Sequence, residues 1–283
     1  MAPDLTPSPN LLPPPQPAHP HSASPGETEA SVRRKFRIRF RKAGDLRLVS
    51  HHDLMHVFER MFRRADLLLC VSQGFNPHPK MVFALALALG VAGLNEILEI
   101  EIAQPLDAVE LHARLTSQCP PGIEILAVRE IDVKASGRVR RAFYRLPLTQ
   151  RLDGLAECCA TFLRQSACWI ERLRPDPRRV NLVPFVAELK CEADNLTLAL
   201  WITPTGAARP DEVFAALGLR DLLESGAVIE RTDLEVVDEL PPGTENAPAI
   251  QGALQVIGTN DRPAPARDVR PTSIISNPMS FDS

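Results

Sequence analysis

The sequence predicts an α+β fold of two tandem ferredoxin-like βαββαβ units with disordered, proline-rich tails. Three observations favour it: a β-α-β-β-α-β order of hydrophobic patterns, a weaker copy of that order further along the chain, and the crowding of proline at both ends. Of the 27 prolines, nine precede residue 31 and seven follow residue 240. We therefore expect tails over 1–31 and 241–283, and folded units over 32–135 and 136–240.

The first unit opens with the segment KFRIRFRK, whose alternation of apolar and basic residues predicts a strand. Its apolar side chains, expected in the core, are Phe36, Ile38 and Phe40. Its basic side chains are Lys35, Arg37, Arg39 and Arg41. Because the helices of a ferredoxin-like unit cover one face of its sheet, we expect the basic side to be open to solvent.

A helix is predicted to begin after Ser50, a favourable N-cap residue, with Asp53 completing an approximate capping box. Apolar residues recur at three- and four-residue spacing from Leu54 to Ala65, so this side of the helix should face the core. The exposed side would carry His52, His56, Arg60 and Arg63.

The other elements of the first unit follow from the same patterns. We predict a strand over 80–90, a strand over 95–102, a helix over 107–119 and a strand over 122–131. Together with the first strand and helix, they complete the β-α-β-β-α-β order.

The second unit is predicted from internal similarity. The motif D-x-V at 107–109 and the motif G-x-x-I at 122–125 recur at 211–213 and 226–229, each 104 positions later. The second unit contains no histidine, so we expect the first unit to carry the function.

Charge is divided unevenly along the chain, although its formal net value is only −3. Residues 31–80 hold twelve Lys or Arg against four Asp or Glu, a balance of +8 that leaves −11 for the rest. Such a basic segment attracts phosphates.

The six cysteines form no CxxC pair and are expected to be buried free thiols. No signal peptide or membrane span is evident, so we expect a cytoplasmic protein without membrane contact.

Four of the seven histidines lie in this basic region. They are His51, His52, His56 and His78. His52 and His56 have the spacing of metal ligands, but Asp53 and Glu59 are expected to point elsewhere, so we assign no metal site. An endoribonuclease needs only one or two histidines near a cationic groove, which makes His52, His56 and His78 candidate catalytic residues.

The third possible use of this region is RNA binding through phosphate contacts. The candidate residues are Arg37, Arg39, Arg41, Arg60, Arg63, Arg64 and Lys80. For the strand alone, the alternative is that its basic residues prevent pairing with other chains. Aromatic residues make up only 5% of the chain and no RRM-type aromatic signature is present, which argues against base stacking.

The segment GFNPHPK is a constrained loop, because Pro77 and Pro79 fix their own φ angles and push the preceding residues toward extended conformations. It would present Asn76 and His78, while Phe75 is either a hydrophobic plug or a stacking platform. The motif residues of the helix start and the loop are Ser50, His51, Asp53, Gly74, Phe75, Asn76, Pro77, His78 and Pro79. We expect the loop and the basic strand to line one recess, with Arg39 and His78 on the same side of the molecule.

Several of these segments resemble a known family. FRIRFRKAGDLRLVSHHDL, FERMFRRAD, SQGFNPHPK, ALALALGV and VNLVPFV are together similar to the radical-SAM-linked protein family, an uncharacterised domain encoded beside or fused to a B12-binding-type radical-SAM protein. One departure is the LLL run at 67–69, where the family pattern has a proline. The resemblance implies a radical-SAM partner that carries the iron–sulfur cluster and S-adenosylmethionine, with no cofactor in this chain.

These expectations combine into one functional hypothesis and two alternatives. The hypothesis is an accessory, RNA-binding subunit that works with a radical-SAM enzyme in RNA modification and is not an enzyme on its own. The first alternative is a metal-independent endoribonuclease that uses His52, His56 or His78. The second is a protein–protein adaptor for the radical-SAM partner.

Overall fold

The computed structural model describes residues 33–256 except 74, 76, 174–176 and 245. The predicted tail over 1–31 and the part of the second tail from 257 onward lie outside the described residues. No helix of the described part is long and apolar enough to span a membrane.

The described chain forms eleven strands, five α-helices and three short 3₁₀ turns. The strands are β1 (Arg34–Lys42), β2 (Met81–Phe83), β3 (Ala92–Ile102), β4 (Ile123–Ile131), β5 (Val139–Pro147), β6 (Trp169–Arg172), β7 (Arg178–Asn181), β8 (Val186–Cys191), β9 (Asn195–Trp201), β10 (Glu230–Val236) and β11 (Leu254–Val256). The helices are α1 (His51–Arg64), α2 (Ala108–Thr116), α3 (Leu155–Arg164), α4 (Pro210–Ala216) and α5 (Arg220–Glu224). The 3₁₀ turns are Gly44–Leu48, Val183–Phe185 and Val237–Glu239.

The strands form one large mixed sheet and one small sheet, which confirms the α+β class. The large sheet has eight strands in the order β4-β1-β3-β10-β5-β9-β8, and β2 also pairs with β3. Its neighbours are antiparallel except β3 and β10, which run parallel with Glu230 opposite Ala92. The small sheet has the order β11-β7-β6.

Two hydrophobic cores lie along the large sheet. In the first half of the chain, Phe36, Ile38 and Phe40 of β1 are fully buried against Phe58 and Phe62 of α1, as the sequence patterns predicted. A second core joins β5, β8, β9 and β10 to α3 and α4. The predicted exposure of His52, His56, Arg60 and Arg63 on the other side of α1 is confirmed.

Three local differences from the predictions have physical causes. The strand expected over 80–90 ends at Phe83, because the carbonyls of Leu85 and Ala86 accept hydrogen bonds from the buried guanidinium of Arg231 and not from a neighbouring strand. The strands β6 and β7 are only four residues long and were not predicted. The strand β11 lies inside the segment expected to be a tail, where it pairs with β7.

Candidate functional site in the first helix and the proline loop

The N-terminus of α1 is fixed by Ser50. Its hydroxyl accepts a hydrogen bond of 3.2 Å from the Asp53 backbone N–H and donates one of 2.6 Å to the Asp53 carboxylate. This is the predicted cap, and it also explains why Asp53 does not point toward the histidines.

The next residue, His51, turns inward from the cap. Its ring lies edge-on to Phe83 with centroids 5.1 Å apart, and its Nδ1 is buried without a hydrogen-bond partner. Burial lowers the pKa of His51, and the positive charges of Lys42 and Arg231 lower it further. His51 is therefore a neutral, half-buried residue of the helix start.

His52 and His56 form an exposed pair one turn apart on α1. Their rings meet edge-to-face with centroids 4.6 Å apart. The Nδ1 of His56 lies 2.9 Å from the Glu59 carboxylate, so the expectation that Glu59 points elsewhere is wrong. The described residues contain no cluster of three His, Cys, Asp or Glu that could hold a metal ion. Two imidazoles and one carboxylate on an exposed helix face can exchange protons with a ligand.

Arg60, Arg63 and Arg64 continue this surface toward the C-terminus of α1. All three are exposed, and within the described part of the chain none forms a salt bridge. Arg64 donates only to the backbone carbonyl of Gln118, at 3.1 Å. We call the exposed residues His52, His56, Arg60, Arg63 and Arg64 the α1 surface.

The basic side of β1 is largely neutralised. Arg37 is only 1% exposed, and its guanidinium contacts the carboxylates of Glu99, Asp238 and Glu239 at 2.6 to 2.8 Å. A side chain without exposed surface cannot bind phosphate, so the predicted role of Arg37 does not fit its position.

The neighbours of Arg37 on β1 are also paired. Arg39 contacts Asp233 and Glu239, and Lys35 contacts Glu99. Arg41 is half-exposed and lies 3.9 Å from a carboxylate oxygen of Glu124. The expected open, cationic face of β1 is therefore covered by carboxylates, several of them from β10 and the turn after it.

The proline loop leaves the edge of β3 as a narrow hairpin. Val71 and Pro79 form a β-bridge, and Ser72 and His78 exchange two hydrogen bonds of 2.8 and 3.0 Å. Phe75 at the tip is fully exposed, which excludes the hydrophobic plug. Gly74 and Asn76 of the motif lie outside the described residues.

The base of the loop and Arg39 of the basic strand meet β3 at different positions. Lys80 at the base of the loop contacts Glu101, whereas Arg39 lies opposite Ile97, four residues away along β3. Four strand residues span about 13 Å. Arg39 is also held by Asp233 and Glu239 toward β10, away from the loop.

The sequence predictions missed two features of the structure. The first is a cavity of about 600 Å³ lined by residues 85–91, by Tyr144 and by the buried guanidinium groups of Arg172 and Arg231. The ALALALG repeat suggested a strand here, and no local signal shows that its backbone encloses a cavity. The second is an aromatic surface around Phe143 and Trp201 on β5 and β9, whose pattern is visible only once the two strands are paired.

Comparison with known proteins gives one family and little beyond it. Residues 35–210 match the family described as an uncharacterised protein conserved in bacteria (DUF2344). No curated protein matches. Among solved structures, an unknown protein from Galdieria sulphuraria is 15% identical, and the match covers 72% of this chain and 99% of that one with a TM-score of 0.23.

Proposed function

This chain belongs to the uncharacterised bacterial family DUF2344, and from the geometry of its first half we propose that it binds RNA through the α1 surface as an accessory subunit of a radical-SAM enzyme. The observation that carries the RNA-binding part is the set of exposed arginines Arg60, Arg63 and Arg64, which lack carboxylate partners in the described chain while the arginines of β1 are paired. Unpaired arginines along one helix face are suited to a row of phosphates.

The partner is proposed on different grounds. The motifs SHHDL, FERMFRRAD and GFNPHPK resemble those of proteins linked to radical-SAM enzymes. In this proposal the partner supplies the cluster and S-adenosylmethionine, and this chain holds the RNA. His78 and Phe75, both exposed on the proline loop, would contact the nucleotide or the partner.

Salt dependence tests the phosphate contacts. Binding of single-stranded RNA should weaken steeply with salt, and the triple substitution R60A/R63A/R64A should reduce the slope of log K against log salt by about 2, as expected for three lost contacts. A matched control is R151A/R164A/R220A, which removes the same charge from exposed positions of the second half. Equal slopes for the two triple variants would disprove phosphate binding by α1. A protein that binds no RNA would instead fit the adaptor.

The contacts of His52 and His56 support an endoribonuclease as the second candidate. The His52 ring packs against the His56 ring, and the Glu59 carboxylate lies 2.9 Å from the Nδ1 of His56. These groups could transfer the protons at a 2′-hydroxyl and at a leaving oxygen. Purified protein should then cleave RNA in EDTA to cyclic-phosphate ends, and H52A or H56A should abolish the reaction while H112A on α2 should not. RNA that stays intact in EDTA would exclude this candidate.

We also infer that each half is a ferredoxin-like unit. The strands of the first half follow the spatial order β4-β1-β3-β2 and those of the second the order β10-β5-β9-β8, which correspond to each other position by position. In both halves a helix follows the first strand and another precedes the last. An experimental structure with a different strand order in either half would overturn the inference.

A further inference from the structure

The large sheet has a second exposed feature, on the face of β5 and β9 that points away from the helices. Ala142, Tyr144 and Leu146 of β5 belong to the second core, so Arg141, Phe143 and Arg145 face the other way. The same alternation in β9 places Leu196, Leu198 and Leu200 in the core and Thr197, Ala199 and Trp201 on the opposite face. We call this opposite face the β5–β9 surface.

Arg141 contacts both aromatic rings of this surface, those of Phe143 and Trp201. Arg141 pairs with Trp201 across the two strands, and Phe143 pairs with Ala199. The guanidinium carbon of Arg141 lies 5.1 Å from the centroid of the Phe143 ring and 5.4 Å from that of Trp201. Arg140 lies over Trp201 at 4.7 Å. Both rings are therefore held in place by cations and remain partly accessible.

The guanidinium groups are themselves fixed by one carboxylate. Glu235 of β10 contacts Arg140 and Arg141, each at 2.6 Å. The rings and cations thus keep one arrangement before any ligand arrives, which lowers the entropy that binding must overcome.

A cavity of about 370 Å³ lies beside Phe143 on this surface. This volume falls within the range of small-molecule sites, roughly 300–1,000 Å³. Thr197 and Ala199 line it together with the polar side chains of Glu188 and Asn195. A flat ligand could pack against the Phe143 ring while its polar edge meets these groups.

The carboxylates select the kind of ligand. Arg145, which also lines the cavity, is paired with Glu230, and Glu188 is paired with Lys190. Within the described chain Glu192 forms no salt bridge, so a phosphate here would meet a carboxylate and no unpaired lining cation. An ionised carboxylate accepts hydrogen bonds but donates none, and it therefore favours a base edge that carries an amino group. Aromatic rings and arginine planes on an open sheet bind unstacked bases in single-stranded RNA.

We propose that the β5–β9 surface binds an unstacked nucleobase with an exocyclic amino group, packed against Phe143. The proposal rests on the proposed function in taking RNA as the ligand. The site is separate from the α1 surface and contributes base recognition, whereas α1 contributes phosphate contacts.

Two matched octanucleotides, oligo(C) and oligo(U), test the site, because the two bases differ at the position where cytosine has an amino group and uracil a carbonyl. In fluorescence anisotropy at fixed salt, the full chain should bind oligo(C) more tightly than oligo(U). F143L keeps an apolar side chain but removes the stacking ring, and it should weaken oligo(C) binding about 5- to 150-fold, the usual range for one stacked base. F143Y keeps the ring and should bind within about twofold of the wild type, which also controls for folding.

The two proposals fail in different ways. F143L should leave the salt slope unchanged, whereas R60A/R63A/R64A should lower the slope and keep the preference for oligo(C). An F143L protein with wild-type affinity, or equal affinities for the two oligonucleotides, would overturn base binding on the β5–β9 surface. Neither result would bear on the proposed phosphate contacts of the α1 surface. If F143L weakens binding and the arginine triple variant keeps the full slope, the α1 proposal falls and the base site stands.

Discussion

Arg37 shows how a residue in a basic pattern can serve the fold. Its guanidinium is enclosed by Glu99 of β3 and by Asp238 and Glu239 of the turn after β10, so it connects the first half of the chain to a turn 201 residues away. Removing one partner of a buried ion pair leaves an uncompensated buried charge. The resulting loss of folding stability is larger than the stability that an exposed ion pair contributes.

We expect R37M to lower the free energy of unfolding by about 3–5 kcal/mol, because three carboxylates lose their common partner. R41M is the matched control, and its half-exposed pair with Glu124 should be worth about 0–1 kcal/mol. Urea unfolding of the two variants provides the comparison. Equal stabilities would show that Arg37 is not a structural cation.

His51 gives the fold a dependence on pH. Its pKa is lowered by burial, and then by Lys42, Arg231 and His52, so the folded state binds its proton less readily than the unfolded state. Its contribution to stability is complete above the unfolded value of about 6.5 and is lost as the pH falls through the lower, folded value. H51F keeps an aromatic contact with Phe83 and should reduce the fall in unfolding free energy between about pH 7 and pH 5, measured by urea titration. An unchanged pH profile would contradict this account.

At the scale of elements, α1 was the most predictable part of the molecule. The cap at Ser50 and the apolar spacing after it are local signals, and both match the structure. S50A should lower the unfolding free energy by about 1 kcal/mol and S50T should restore most of it, because the cap needs a side-chain oxygen. Thermal melting of the two variants would detect the difference, and a melting temperature for S50A equal to that of the wild type would show that the cap is dispensable.

Other elements could not be predicted because their determinants are distant in sequence. The alternation in β1 correctly placed Phe36 and Phe40 in the core, but the carboxylates that cover its basic side come from other elements, among them Glu99 of β3 and residues 233–239. The strand expected over 80–90 ends early because of Arg231, about 145 positions away. The aromatic pair Phe143 and Trp201 has no sequence motif, since 57 residues and a second sheet separate its members. Patterns confined to one helix or strand could be predicted from the sequence, whereas contacts between elements could not.

At the scale of the whole molecule, the two halves are joined by a buried ion pair as well as by the sheet. Arg231 of β10 contacts Glu96 of β3, and both side chains are at most 3% exposed. The pair lies beside the short parallel contact between the same two strands. We therefore expect the halves to unfold together.

The positions of the tryptophans allow this cooperativity to be measured. Both, Trp169 and Trp201, lie in the second half, so their fluorescence follows that half while far-UV circular dichroism follows the whole chain. The two urea transitions should coincide in the wild type. They should separate, or shift together to lower urea by an amount equivalent to about 3–5 kcal/mol, in E96Q, which leaves Arg231 uncompensated. Separate transitions in the wild type would mean that the halves are independent domains.

Tyr144, on the wall of the larger cavity beside Arg231, is the chain's single tyrosine. Burial raises its pKa above the ordinary value of about 10, so the phenol keeps its proton in the native protein after a solvated phenol would have lost it. As the pH rises, phenolate absorbance should therefore appear at a higher pH in the native protein than in the unfolded chain. The chain's single phenol is thus an intrinsic optical signal for the loss of packing around this cavity, with no label attached.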